Sequence, residues 1–147
     1  PVAVTVHDED GNIIGSTDNP QTVIDSDLID AITATPTDVI LQNAATTNGN
    51  GTTIDIDNNT EILLSITGEN VTTATITFTG LDADGNTSTI GLAVRQSDGT
   101  IAGSSSTVFS ATAEKWIVPV KNVVQFRAVL SSLTGTDAAV TVKGRMS

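Results

Sequence analysis

Short runs of apolar and β-branched residues recur along the chain from residue 38 onward, and clusters of Gly, Asn, Asp and Ser separate them. Within these runs apolar and polar residues tend to alternate, as the side chains of a strand do when they point to opposite faces. This pattern predicts half-buried β-strands. Eight strands are predicted, at residues 39–42, 53–56, 62–67, 74–79, 89–95, 115–120, 123–130 and 138–143.

The spacing of these runs indicates the fold class. Short strands that recur roughly every 8–12 residues, with turn signals between them, are typical of sandwiches. We therefore expect an all-β fold, a β-sandwich or jelly roll of about eight short antiparallel strands. Residues 104–106, a run of three serines, predict a loop. The predicted core positions are Ile76, Phe78, Ile90, Leu92, Val94, Trp116, Val118, Phe126, Ala128 and Leu130.

The beginning of the chain has a different pattern. Residues 1–7 alternate in period two and run into residues 8–12, which contain Asp10-Gly11, a strong hairpin-turn signal. Ile13 and Ile14 follow the turn, so a small hairpin is predicted here. Residues 15–21 are rich in Gly, Ser, Asp, Asn and Pro and predict an extended linker.

Residues 25–32 are compatible with one short helical turn, capped by Asp25 or Ser26. Regular alternation begins only after this segment. The expected organisation is therefore an N-terminal arm or hairpin with a linker at residues 1–37, followed by a β-sandwich domain at residues 38–147.

Charge is distributed unevenly along the chain, whose formal net charge is −11. The first 94 residues contain 14 of the 17 acidic residues and none of the six basic ones. Nucleic-acid binding needs clustered Lys and Arg to neutralise phosphates, so we expect no nucleic-acid partner. An anionic membrane surface is excluded on the same ground, and no segment has the ~20 apolar residues of a spanning helix. The basic residues are Arg95, Lys115, Lys121, Arg127, Lys143 and Arg145.

The sequence offers little for catalysis. The single histidine, His7, lies near the end of an N-terminal strand, and no Gly-x-Ser-x-Gly elbow is present. Cysteine is absent, so neither a thiolate nucleophile nor a Cys/His zinc site is available. We expect a non-enzymatic protein without catalytic residues, cofactor or metal site.

Calcium is the main chemical alternative to this expectation. Residues 82–86 and 8–12 both place carboxylates at alternate positions before a glycine, as calcium loops do. The glycine comes at position four rather than six, and position twelve is Ala93 in one loop and Asn19 in the other. Because Asp-Gly is also a strong hairpin signal, turns are the preferred interpretation of Asp82-Asp84 and Asp8-Asp10. Whether either loop binds calcium stays open.

Carbohydrate chemistry is the other alternative. Acidic residues are numerous enough to supply a carboxylate pair for glycoside hydrolysis. Asp55 and Asp57 alternate on one face of a predicted strand and are interpreted as solvated side chains. Sugar sites usually add exposed aromatic rings, and the chain has one Trp, no Tyr and three Phe. Phe109 and Trp116 are the candidates for such a platform.

Both ends of the predicted sandwich domain resemble a known family. Residues 39–52, Val-Ile-Leu-Gln-Asn-Ala-Ala-Thr-Thr-Asn-Gly-Asn-Gly-Thr, look like the opening of a β-sandwich common in virion proteins of tailed bacteriophages. The closing elements of that family resemble residues 124–129, 131–135 and 140–145, the last being Val-Thr-Val-Lys-Gly-Arg. The middle matches loosely, with Phe78-Thr79-Gly80 but without the family's Trp after the Asp-Gly turn. The resemblance covers about residues 38–147.

This resemblance implies a virion structural protein. Members of the family include capsid decoration (cement) proteins, head fibres and minor tail proteins, and they commonly assemble as homotrimers. The implied role is a decoration protein or head fibre that binds the major capsid protein on the capsid surface, after synthesis in the host cytoplasm. A tail or baseplate carbohydrate-binding module and a calcium-dependent adhesin domain are the alternatives.

The final two predicted strands, at residues 123–130 and 138–143, are expected to form the closing hairpin of the sandwich. They bring positive charge into an acidic chain. Alternation places Phe126 and Ala128 in the core and directs Gln125, Arg127 and Val129 to the opposite face. Arg127 is then available to the acidic half of the chain, within one subunit or across a subunit boundary.

Overall fold

The computed structural model describes residues 36–147. The predicted N-terminal hairpin, linker and helical turn, together with His7 and Asp8-Asp10, lie outside the described residues. Eleven strands and no helix occur in the described part, so the all-β prediction is confirmed. The strands are β1 (Thr37–Ala45), β2 (Ile54–Asp55), β3 (Glu61–Glu69), β4 (Thr73–Leu81), β5 (Thr87–Thr89), β6 (Ala93–Arg95), β7 (Ile101–Ala102), β8 (Ser104–Thr107), β9 (Glu114–Pro119), β10 (Gln125–Thr134) and β11 (Ala139–Met146).

The strands form two antiparallel sheets. A six-stranded sheet has the order β1-β11-β3-β9-β6-β7, and a five-stranded sheet has the order β2-β10-β4-β5, with β8 also paired to β4. β5 pairs with the end of β4 around Leu81, whereas β8 pairs with its beginning around Ala74. The architecture is therefore a β-sandwich, as the spacing of the apolar runs predicted.

The core lies between the two sheets. Each long strand buries alternate residues, for example Ile62, Leu64 and Ile66 on β3, all of which are 0% exposed. Phe78 from the five-stranded sheet meets Trp116 from the six-stranded sheet, with ring centroids 5.1 Å apart and an interplanar angle of 56°. Such tilted aromatic pairs stabilise a core beyond the area they bury.

One buried polar side chain also connects the two sheets. Gln42 on β1 is 5% exposed, and its Nε2 donates to the carbonyl of Ala128 at 2.8 Å and to that of Gly49 at 3.1 Å. Both donors of the amide are thereby satisfied, as burial of a polar group requires. The Leu-Gln-Asn-Ala segment thus has a structural role at the sandwich edge.

The prediction of one continuous strand at residues 89–95 is wrong, because β5 ends at Thr89 and β6 begins at Ala93. The chain leaves the five-stranded sheet after β5 and enters the six-stranded sheet at β6, so the alternation is reset around Gly91. Leu92 is consequently 71% exposed rather than buried, and Val94 faces outward because its neighbour Ala93 fills the core position. Ile90 does pack against the core, as a partly buried residue.

The loop predicted at residues 104–106 is also wrong. These serines belong to β8, where Ser106 opposes Thr75 and Ser104 opposes Thr77. A hydroxyl–hydroxyl hydrogen bond of 3.0 Å links Thr75 to Ser106. An all-polar strand has no apolar alternation, so its sequence resembled a loop.

Candidate interaction surface

A row of aliphatic side chains crosses the outer face of the six-stranded sheet. Leu63 on β3 is directly opposite Ile117 on β9, and Ile117 is opposite Val94 on β6. Val94 is in turn opposite Ile101 on β7. Directly opposed residues on one face have Cβ atoms about 4.5–5.5 Å apart, so these four side chains form a continuous strip. We refer to Leu63, Ile117, Val94 and Ile101 as the apolar row.

The apolar row faces away from the core. Leu63 lies between the buried Ile62 and Leu64 of β3, and Ile117 lies between the buried Trp116 and Val118 of β9. Leu63 is 37% exposed and Ile101 is 63% exposed, while Ile117 and Val94 are half-buried. Soluble monomers rarely expose contiguous apolar patches without a use for them.

Half of the chain's basic residues lie on the same face. Arg145 is opposite Leu63, at the end of the apolar row, and Asp38 is opposite Arg145. Lys143 and Lys115 flank Ser65 from the two neighbouring strands, which makes a second, basic row beside the first. This face therefore combines aliphatic contact area with a local excess of positive charge.

The basic end of this face is slightly concave. Arg145 and Asp38 form an exposed ion pair of 3.8 Å there, which contributes little to stability because water screens it. Ile40 on β1, 49% exposed, adds a further aliphatic side chain. The groove has a volume of about 480 Å³ and is lined by Asp38, Ile40, Leu63, Ser65, Lys143, Gly144 and Arg145. The apolar row together with Ile40, Lys115, Lys143 and Arg145 is called the basic–apolar face below.

The aromatic residues proposed as a sugar platform lie inside the sandwich. Phe109 is 3% exposed and Trp116 is 1% exposed, and the two other phenylalanines are fully buried. The Trp116 indole N–H donates to the Glu114 carboxylate, which also accepts from the Ser105 hydroxyl. Phe109 and Trp116 therefore cannot stack on a sugar ring in this fold.

The Asp82 loop is a turn between β4 and β5 that its own side chains stabilise. Asp82 Oδ1 accepts from the backbone N–H groups of Asp84 and Asn86, and Oδ2 accepts from the Asn86 side-chain amide, each at 2.9 Å. These bonds favour the ionised carboxylate, and the Asn86 side chain contributes most to holding the pKa of Asp82 below its usual 3.8. Within residues 36–147 there is no group of three or more His, Cys, Asp or Glu side chains placed to hold a metal ion.

The turn makes a testable prediction on acid titration. Substitution Asn86→Ala is expected to raise the pKa of Asp82 toward 3.8, because it removes the largest stabilising hydrogen bond of the carboxylate. A carboxyl group with a lowered folded-state pKa stabilises the fold above its unfolded value, and that contribution is lost as pH falls through the lower folded value. NMR titration of the side-chain carboxyl carbons measures the midpoint. The Asp98 midpoint, lowered mainly by a hydrogen bond from Thr100, should not move, and an unchanged Asp82 midpoint would contradict the assignment.

The remaining predicted residues lie on the other sheet. Phe126 and Ala128 are buried, while Gln125, Arg127 and Val129 point outward, so the alternation predicted for β10 is confirmed. Gln125 Nε2 donates to Asp55 Oδ1 at 2.8 Å. Asp57 lies beyond the end of β2 in a turn with φ of 51°, so it does not share a strand face with Asp55.

The apolar row could not be predicted from the sequence. Each of its strands contributes a single outward aliphatic residue, and only the register between strands brings the four together. The available signal was the adjacent Leu63-Leu64 and Trp116-Ile117-Val118 positions, where strict alternation would place a polar residue outside.

Comparisons with known proteins give one family and two solved structures of similar fold. A family model described as XepA matches residues 35–146. The solved structure of the SPBc2 prophage-derived protein YomS is similar with a TM-score of 0.65 and 23% identity, over 76% of this chain and 92% of that one. The PBSX exported protein XepA is similar with a TM-score of 0.68 and 19% identity, over 99% of this chain.

This chain spans about half of the solved XepA protein, 48% of its length. Identities this low show a shared fold. No curated protein sequence matches the chain. In the part of the chain that the structure describes, no helix is long and apolar enough to cross a membrane.

Proposed function

We propose, from the premise that this chain belongs to the XepA family, that it is a phage-associated structural protein that acts by binding and not by catalysis. The family model spans nearly the whole sandwich, residues 35–146. One solved protein of similar fold, YomS, is described as prophage-derived. The observation that carries the proposal is the basic–apolar face, because a row of outward-facing aliphatic side chains across four strands is a surface suited to burial against a protein.

The occupant that best fits this face is a second copy of the same chain. The face holds three of the six basic residues, whereas the chain as a whole has 17 acidic residues and a net charge of −11. Another copy therefore presents mostly acidic surface, which complements the lysines and arginine around the apolar row. A contact between two different surfaces of identical chains forms a ring when its rotation closes. We therefore propose a homo-oligomer, with three copies as the number implied by the virion resemblance.

Assembly is expected to depend on the apolar row. Substitution Leu63→Asp or Ile101→Asp places a carboxylate in the row, where burial against another subunit would leave it desolvated and unpaired. We expect wild-type protein to sediment above its 15.1-kDa monomer mass and each variant to sediment as a monomer, with at least about a tenfold weaker association.

Val124→Asp is the matched control, since Val124 is an exposed aliphatic residue just before β10, on the other sheet. It should leave the sedimentation of the protein unchanged. Wild-type protein that is monomeric at every concentration, or equal effects of all three substitutions, would disprove assembly through this face. Circular dichroism of each variant establishes that it is folded.

The more specific role that we propose is decoration of the capsid surface by binding the major capsid protein. It rests on the resemblance of residues 39–52 and 140–145 to virion sandwich domains. Purified protein mixed with undecorated capsids is expected to give saturable density at capsid symmetry axes in electron micrographs. Density at tails alone, or no bound protein, would reject capsid decoration.

A second candidate is an exported protein that acts outside the virion. It is favoured by the PBSX protein of the same fold, which is described as exported. The two roles differ in where the protein is found after phage induction. Co-sedimentation with virions supports decoration, whereas recovery from the culture medium free of virions supports export.

A further inference from the structure

A small polar groove lies on the outer face of the five-stranded sheet, away from the basic–apolar face. It has a volume of about 290 Å³ and sits where β10, β4 and β5 run side by side. Its lining includes five hydroxyl side chains and one cation: Thr77, Thr79, Thr87, Ser88, Thr89 and Arg127. We call it the hydroxyl groove.

Strand register places the cation among the hydroxyls. Arg127 on β10 is directly opposite Thr79 on β4, and Thr79 is opposite Thr89 on β5. The three side chains therefore form one row across the sheet, at the spacing of directly opposed residues. Val129 and Thr77 form the adjacent row.

Arg127 lacks a partner within residues 36–147. Its Nε is buried and has no hydrogen-bond acceptor there. The ion pairs shorter than 4 Å in this part of the chain are Arg95–Asp98 and Arg145–Asp38, so Arg127 has no carboxylate beside it. Nor does the lining of the groove contain any acidic side chain. The Arg127 guanidinium therefore lines the groove without a counter-charge, which a bound oxyanion would supply.

We propose that the hydroxyl groove binds a carboxylate or phosphate group through Arg127. The planar guanidinium presents paired N–H donors that match the two oxygens of such a group. Threonine and serine hydroxyls on the neighbouring strands supply further donors for the remaining oxygens and for hydroxyl groups attached to the anion. The groove lies on the other sheet and shares no lining residue with the basic–apolar face.

Titration of the ¹⁵N-labelled full chain at low ionic strength tests the site. The probes are inorganic phosphate, glucuronate as a sugar carboxylate, and glucose as the neutral control. Both anions are expected to shift the amide signals of Thr79, Thr89 and Arg127 saturably, and glucose is not. Added salt should weaken the binding of both anions, since the contact is electrostatic. Equal affinity for the two anions shows recognition of the oxyanion alone, whereas tenfold tighter glucuronate shows that the hydroxyls recognise the sugar.

Two variants decide whether Arg127 carries the binding. Arg127→Gln is expected to lower the affinity for both anions at least about tenfold, because it removes the charge-assisted hydrogen bonds. Thr89→Val keeps the β-branched shape of an exposed strand residue and should weaken binding about two- to tenfold, which keeps the test valid if the arginine variant does not fold. Lys121→Gln, which removes an exposed cation elsewhere, should have no effect. Absence of saturable shifts, unchanged binding by Arg127→Gln, or shifts centred on Lys143 and Arg145 would overturn the proposal.

Discussion

Substitution Trp116→Ala is expected to lower the free energy of unfolding by about 3–5 kcal/mol, the usual cost of removing a large buried aromatic side chain. Trp116 is 1% exposed and packs on Phe78 from the opposite sheet at 5.1 Å. The Arg95 guanidinium lies over its ring, 5.4 Å from the centroid, and its indole N–H donates to Glu114. Alanine would leave a cavity at the point where the two sheets meet and would deprive the Glu114 carboxylate of one donor.

Two control substitutions separate these contributions. Trp116→Phe keeps an aromatic ring but loses the indole donor, so we expect a smaller loss of about 1–3 kcal/mol. Val124→Ala, at a 51% exposed position, should change stability by no more than about 0.5 kcal/mol. Urea unfolding followed by circular dichroism suits all three, because Trp116 is the chain's only tryptophan and its fluorescence is lost with it. A Trp116→Ala variant as stable as Val124→Ala would show that this inter-sheet packing is wrong.

Substitution Gly135→Ala is expected to destabilise the fold by about 2–6 kcal/mol, through backbone strain and steric overlap together. Gly135 begins the connection from β10 to β11 with φ of +136°, a conformation that residues with a side chain rarely adopt. A Cβ at this position would lie 2.0 Å from the backbone oxygen of Asn70 and 3.1 Å from the Thr72 nitrogen. Neither backbone atom can move without disturbing the start of β4.

Two other glycines provide the controls for this prediction. Gly85 has φ of +82° but open space around its Cα, so Gly85→Ala should cost only the strain, about 1–2 kcal/mol. Gly49 has open space and no positive φ, so Gly49→Ala should change stability by no more than about 1 kcal/mol. The melting temperature should therefore be lowest for Gly135→Ala, intermediate for Gly85→Ala and highest for Gly49→Ala. A Gly135 variant that melts with the Gly49 variant would exclude the close contact with Asn70.

Local pattern predicted those parts of the fold that local chemistry determines. The clusters of Gly, Asn, Asp and Ser between the apolar runs do form turns. Those at Asp57, Asn70 and Gly99 each contain a residue at positive φ, because Asn, Asp and Gly accept that conformation at least cost. Strand positions on β4 and β10 were predicted correctly down to the faces of Phe78 and Phe126, since both strands alternate over their whole buried length.

Long-range connectivity explains the failures. The predicted pairing of the final two strands as a closing hairpin is wrong, since β10 lies in the five-stranded sheet and β11 in the six-stranded sheet. The crossing at Gly91 likewise changes sheet within an apparently continuous apolar run. Alternation along the sequence indicates which residues of a strand face the core and which face solvent. It does not indicate which of the two sheets the strand joins.

The candidate surfaces were predicted only in part, for the same reason. Arg127 was identified as an outward cation, yet its placement beside Thr79 and Thr89 depends on the register of three strands. The sequence showed that basic residues are concentrated late in the chain. It did not show that they share a sheet face with Leu63 and Val94, because those two residues come from distant segments.

The position of β11 determines when this fold can be completed during synthesis. β11 comes last in sequence among the strands of the sandwich, yet it lies between β1 and β3, and Thr37 pairs with Met146. Contacts so distant in sequence form slowly, because the chain entropy is lost before the contacts are gained. A nascent chain that lacks residues 139–146 exposes the unpaired edges of β1 and β3, which are templates for aggregation. We therefore expect the six-stranded sheet to close only once β11 has emerged from the ribosome.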